Sequence, residues 1–85
     1  MRFIAEIDIM PLPNLLDPQG KTIMNTLHNL NYKNISNIRI GKHISIILTA
    51  ENIEKAKEKI HEIAKKVLIN PIVEYYTFSI KEFEK

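Results

Sequence analysis

The chain has 85 residues, 45% hydrophobic and 26% charged, with a net charge of +2. That length predicts one domain, residues 1–85, with a thin stability margin; the interspersed charges argue against a nucleic-acid partner. Cysteine is absent, which excludes disulfides, thiolate metal sites and a thiol nucleophile, and leaves self-association as the usual route by which so small a domain gains stability.

The first residues, Met1-Arg2-Phe3-Ile4-Ala5-Glu6, do not form a signal peptide, and no stretch approaches the ~20 apolar residues of a membrane span. The expected location is cytoplasmic, with no membrane partner. Residues 2–10 alternate: Phe3, Ala5, Ile7 and Ile9 point one way, Glu6 and Asp8 the other, which predicts a half-buried strand. Pro11 and Pro13 stop it. Asp17-Pro18 then opens a helix: the carboxylate accepts from free N–H groups of the first turn, and proline suits the first helical position. Ile23, Leu27 and Leu30 give that helix one apolar stripe, and Asn31 suits a left-handed residue at its end. Gly20 costs the helix roughly 0.5–1 kcal/mol relative to alanine, so another strand or a partner surface is expected to approach it closely.

Two strands follow, residues 35–40 and 43–49, joined by Gly41-Lys42 as a type II′ hairpin turn. Ile44, Ile46 and Leu48 share one face of the second. Thr49 is expected to cap a second helix, with Glu51 in its first turn and a stripe of Ile53, Ala56, Ile60, Ile63, Ala64 and Val67. Glu51–Lys55 and Glu62–Lys66 are favourable pairs on its charged face. Asn70-Pro71 ends it. Residues 72–80 form the last strand, with Tyr76, Phe78 and Ile80 on one face, and residues 81–85 read as a frayed charged tail.

The order is β-α-β-β-α-β, an α+β two-layer sandwich whose antiparallel sheet carries both helices on one face. Its other face, with Ile4, Met10, Ile47, Val73 and Tyr75, is left uncovered, which points to a homodimer. Chemistry is sparse. His28, His43 and His61 match no metal-ligand spacing, although His43 stands where it can meet a partner. Glu6 and Asp8 read as a solvated pair or as partners of Arg39 or Lys42. Two glycines supply no phosphate-cradling loop, and the central strands lack the aromatics that RNA-recognition domains of this topology use. A small-molecule-binding regulatory module stays open as an alternative.

Leu15-Leu16-Asp17-Pro18-Gln19-Gly20-Lys21 resembles the signature of the PurS family, the small subunits of phosphoribosylformylglycinamidine (FGAM) synthase. The likeness continues through Leu27-His28-Asn29-Leu30 and Tyr32, Ile38-Arg39-Ile40-Gly41-Lys42, and Leu68-Ile69-Asn70-Pro71-Ile72-Val73-Glu74 to Tyr76–Phe78. It departs at Asn31, where the family usually has glycine, in the loop 11–14, and at Tyr75 and Thr77.

The resemblance implies a non-catalytic assembly subunit with no activity alone. Such a subunit joins a large ATP-dependent synthetase subunit to a glutamine amidotransferase subunit, so that ammonia passes between them. The complex converts glutamine, ATP and formylglycinamide ribonucleotide to FGAM in purine biosynthesis. ATP and Mg are used by the complex, with no cofactor bound by this chain. A homodimer is implied as well. Asp17, Pro18, Gly20, Gly41, Asn70 and Pro71 match the motif and have folding duties. Gln19, Lys21, Arg39 and Lys42 match it without one, which marks them as candidates for subunit contact.

Overall fold

The computed structural model describes residues 1–83. Strand β1 (Arg2–Pro11) leads to helix α1 (Pro18–Asn29), strand β2 (Lys42–Thr49), helix α2 (Ile53–Ile63) and a π-helical turn (Ala64–Leu68), and the chain closes on strand β3 (Glu74–Glu82). β1 is the centre of an antiparallel sheet of order β2-β1-β3. Its alternation decides the core: Phe3, Ala5, Ile7 and Ile9 are buried, as are Ala56, Ile60 and Ala64 of the helical layer, and Ala5, Ile7 and Ile9 pack with Ile60 as one cluster. Each fully buried Ile or Phe contributes about 1.5–3 kcal/mol relative to exposure. Ile44, Ile46 and Leu48 of β2 and Tyr76, Phe78 and Ile80 of β3 flank this cluster on the same face, half-buried.

The α+β, helix-on-sheet architecture is the expected one, but its parts are distributed differently. Among the described residues only α2 and the π turn bury apolar side chains against the sheet; the one fully buried residue of α1 is Gly20. Ile23 and Leu30, members of the expected α1 stripe, are 41% and 62% exposed. α1 instead projects from the sheet as an arm. The body measures 52 × 30 × 15 Å with a radius of gyration of 16.8 Å, against about 12 Å for a compact chain of this length.

Residues 35–40 return beside that arm. His28 Nε2 meets the Ile35 carbonyl at 2.9 Å, Gly20 lies against the Ile38 carbonyl, and the Ile40 N–H donates to Asp17 Oδ2 at 2.7 Å. Residues 35–40 thus cover the axial distance from residue 28 back to 17. Eleven helical steps span about 16.5 Å at 1.5 Å each, and five steps of an extended chain at about 3.3 Å span the same. The segment is therefore extended, as read from sequence, but has no ladder partner among the described residues. The hairpin expected at Gly41-Lys42 does not form, and no glycine has positive φ. β2 pairs with β1, Asp8 opposite His43 and Ile4 opposite Ile47, as the two central strands of the expected sheet should.

Helix ends follow local chemistry. Asn31 has φ 76°, and the Asn31 and Tyr32 N–H groups donate back to the His28 and Leu27 carbonyls, closing α1 as a left-handed asparagine was expected to do. α2 is capped by Asn52, whose side chain accepts from Lys55 N at 2.9 Å; Thr49 stays in β2. The π turn is closed by Ile69 N–H to the Ala64 carbonyl at 3.1 Å. Its extra residue shifts the stripe: Leu68 packs on the core and Val67, expected there, is 76% exposed. Beyond Asn70-Pro71, the Asn70 carbonyl accepts from the Val73 and Glu74 N–H groups, turning the chain into β3. β3 begins two residues later than expected and runs on through Glu82, absorbing the first two residues of the supposed tail. Residues 84 and 85 of that tail lie outside the described residues.

Candidate functional site

The motif segment 15–17 is a wall between two hollows at the root of the arm. One, of about 570 Å³, is lined by Ile9, Pro11, Gln19, Gly41, Lys42 and Val73 among others. The other, of about 170 Å³, is lined by Lys21, Met24, Asn37, Ile38 and Arg39 on the far side of the same wall. The four expected contact residues are thus split: Gln19 and Lys42 face the larger hollow, Lys21 and Arg39 the smaller.

Asp17 ties this root together. Oδ1 accepts from Gly20 N–H at 3.1 Å, the cap read from sequence, and Oδ2 accepts from Ile40 N–H at 2.7 Å. The Ile40 N–H, then the Gly20 N–H, hold the carboxyl below its ordinary value. The second bond fastens the end of the return segment to the start of the helix. Pro18 occupies the first helical position, as expected.

Arg39 has a folding duty that the sequence did not show. Its guanidinium donates to the Leu15 carbonyl at 2.9 Å and the Leu12 carbonyl at 2.7 Å. These acceptors belong to the loop between β1 and α1, which lacks a regular ladder to satisfy them. Gly20 and Gly41 are required by close approach. A Cβ on Gly20 would fall inside contact of the Ile38 carbonyl, and one on Gly41 inside contact of the Ile9 carbonyl and Met10 Sδ. The first agrees with the expectation of a near neighbour; the second replaces the turn argument for Gly41.

Lys42 Nζ lies 3.7 Å from Glu74 Oε2 across the larger hollow, a partner the sequence did not suggest. Glu74 also accepts from the Asn70 N–H at 2.9 Å, which links the Asn70-Pro71 turn to the same hollow. Gln19 and Lys21 are exposed.

Glu6 and Asp8 find neither Arg39 nor Lys42. They bind His43: Nε2 is 2.7 Å from Glu6 and Nδ1 2.6 Å from Asp8, and the Ser45 hydroxyl donates to Glu6. Among the described residues no group of three or more His, Asp or Glu side chains is arranged to hold a metal ion. No described helix is long and apolar enough to cross a membrane. At the root of the arm, the side chains rigidify backbone and present Gln19, Lys21 and Lys42 outward, an arrangement suited to contact.

The family model of PurS, phosphoribosylformylglycinamidine (FGAM) synthase, matches residues 4–82. The chain is similar to the PurS subunit of that synthase from Methanocaldococcus jannaschii, 37% identical over 80 residues, covering 94% of this chain and 96% of the relative. The Thermotoga maritima PurS subunit is also 37% identical, over 87% of this chain and 90% of the relative. Among solved structures, M. jannaschii PurS superposes with a TM-score of 0.83 at 33% identity, covering 96% of this chain and 99% of that one. A chain of the PurLQS structure from T. maritima superposes with a TM-score of 0.87 at 33% identity, over 95% and 99%. A match over nearly the whole length in both sequence and fold places this chain in the PurS family of FGAM synthase subunits.

Proposed function

We propose that this chain is the non-catalytic assembly subunit of an FGAM synthase. It bridges the glutamine amidotransferase and the ATP-dependent synthetase subunits, so that ammonia released from glutamine reaches the synthetase. The observation that carries this reading is the likeness, end to end, to the chain of the T. maritima PurLQS structure. ATP and Mg belong to the synthetase subunit in this reading, and the workplace of the complex is the cytoplasm. Gln19, Lys21 and Lys42 make the subunit contacts, and Arg39 supports them by fixing the loop that leads from β1 into α1.

The chain works as a homodimer. Self-association would cover the exposed stripe of α1 and satisfy the extended backbone of residues 35–40, which has no ladder partner of its own among the described residues.

The test is reconstitution of the host's synthetase and amidotransferase with and without this chain. Glutamine-dependent FGAM formation should require the chain. A full glutamine-dependent rate in its absence would overturn the assembly role. Replacing Lys21 and Lys42 together by alanine should leave the thermal midpoint unchanged and weaken capture of the partner subunits. Capture at wild-type affinity would remove these two residues from the interface.

A further inference from the structure

The face of the sheet turned away from α2 carries one organised polar cluster. Glu6 and Asp8 stand two residues apart on β1, and the register puts Ser45 opposite Glu6 and His43 opposite Asp8. The imidazole of His43 lies between the two carboxylates, within 2.7 Å of each. A charged imidazolium donates through both ring nitrogens, whereas a neutral ring has one N–H and one lone pair. The geometry is therefore that of the charged ring. In the neutral ring one carboxylate faces a lone pair and the bond to it is lost. From β3, Lys81 is the charged neighbour that acts on Glu6, while Thr77 and Ser79 are the uncharged residues opposite Asp8 and Glu6. Glu6, Asp8, His43 and Lys81 together carry no net charge when the ring is protonated, and one negative charge when it is not.

The cluster stands beside the motif. His43 follows Lys42 and Gly41, which line the larger hollow, and Gly41 is wedged against Ile9 and Met10 of β1. The first rungs of the β1–β2 ladder are therefore the cluster and the edge of the hollow at once.

We infer that Glu6, His43 and Asp8 form a proton-operated clamp. It closes on both carboxylates when the ring is charged and releases one when the ring is neutral, and its state is transmitted along β2 to Gly41 and Lys42 at the hollow. The bonds to Asp8, then Glu6, raise the His43 pKa above its ordinary value near 6.5. A raised value makes the clamp's stabilisation complete below about pH 6.5 and lost as pH rises through the folded value.

The test is an NMR pH titration of the full chain, with the His43 ring signals assigned by comparison with H43Q. The ring midpoint should lie above 6.5 and fall toward it in Glu6→Gln and in Asp8→Asn, both on the face of β1 away from the core. The Gly41 and Lys42 amide signals should move with the same midpoint in the wild type and lose that movement in H43Q. A wild-type midpoint at or below 6.5, or one unchanged in both variants, would overturn the clamp. Gly41 and Lys42 amides that stay still while His43 titrates would overturn its transmission to the hollow.

Discussion

Replacing Gly20 by alanine sets two opposed effects against each other at the root of the arm. Gly20 lies inside α1, where alanine is favoured by about 0.8–1 kcal/mol through helix propensity. Against this, the new methyl would meet the backbone carbonyl of Ile38. That carbonyl cannot swing aside as a side-chain tip can, because residues 39 and 40 are pinned by the Arg39 bonds to Leu12 and Leu15 and by the Ile40 bond to Asp17. Overpacking of this kind costs about 1–3 kcal/mol. The clash should win, leaving a net loss of up to about 2 kcal/mol, which corresponds to a fall of up to roughly 16 °C in the thermal midpoint of a domain this size. Thermal unfolding at a fixed protein concentration measures it, with the exposed Asn25→Ala in the same helix as a propensity control. A G20A chain more stable than wild type by the full propensity gain would refute the close packing of the return segment on α1.

Two further outcomes follow from the same geometry. Ile60 is completely buried at the centre of the core, so Ile60→Ala should lose about 2–5 kcal/mol. That is a large part of the roughly 4–13 kcal/mol that supports a domain of this length; urea unfolding that shows less than about 1 kcal/mol would contradict the assigned core. Asp17 has its carboxyl held below the ordinary value by the Ile40 and Gly20 N–H groups. Its contribution is therefore present above about pH 3.8 and lost as pH falls through the folded value. The difference in thermal midpoint between wild type and Asp17→Asn should be widest near neutrality and close in acid; a gap that persists to pH 2 would show that the carboxylate's charge is not what matters.

Local periodicity carried the sheet and core. Phe3 to Ile9 on β1 and Tyr76 to Ile80 on β3 face inward as their alternation requires. Asn31 marked a helix end because its left-handed conformation is a property of that residue alone. What local pattern does not encode is which distant backbone lies alongside. Residues 35–40 are extended either as a strand or as a strap along α1, and only the Asp17, Gly20 and His28 contacts distinguish the two. Gly41 looks the same in sequence whether a turn or a crowded carbonyl demands it. A regular 100° step puts Val67 on the core, and the π turn interrupts that step. Arg39 and the His43 cluster depended on register and loop path, so their residue types were visible and their partners were not.

The way α1 is held has a mechanical consequence. The helix is about 18 Å long, from twelve residues at 1.5 Å each, and it is bracketed mainly at its root by Asp17 and Arg39. Such an arm is a lever. A tilt of about 10° at the bracket carries its far tip, near Leu30, through roughly 3 Å, a displacement on the scale of a side-chain contact. Small changes in the bonds to Ile40, Leu12 or Leu15 are therefore magnified at the tip, and the aim of the whole arm is set by a few atoms that never reach its end.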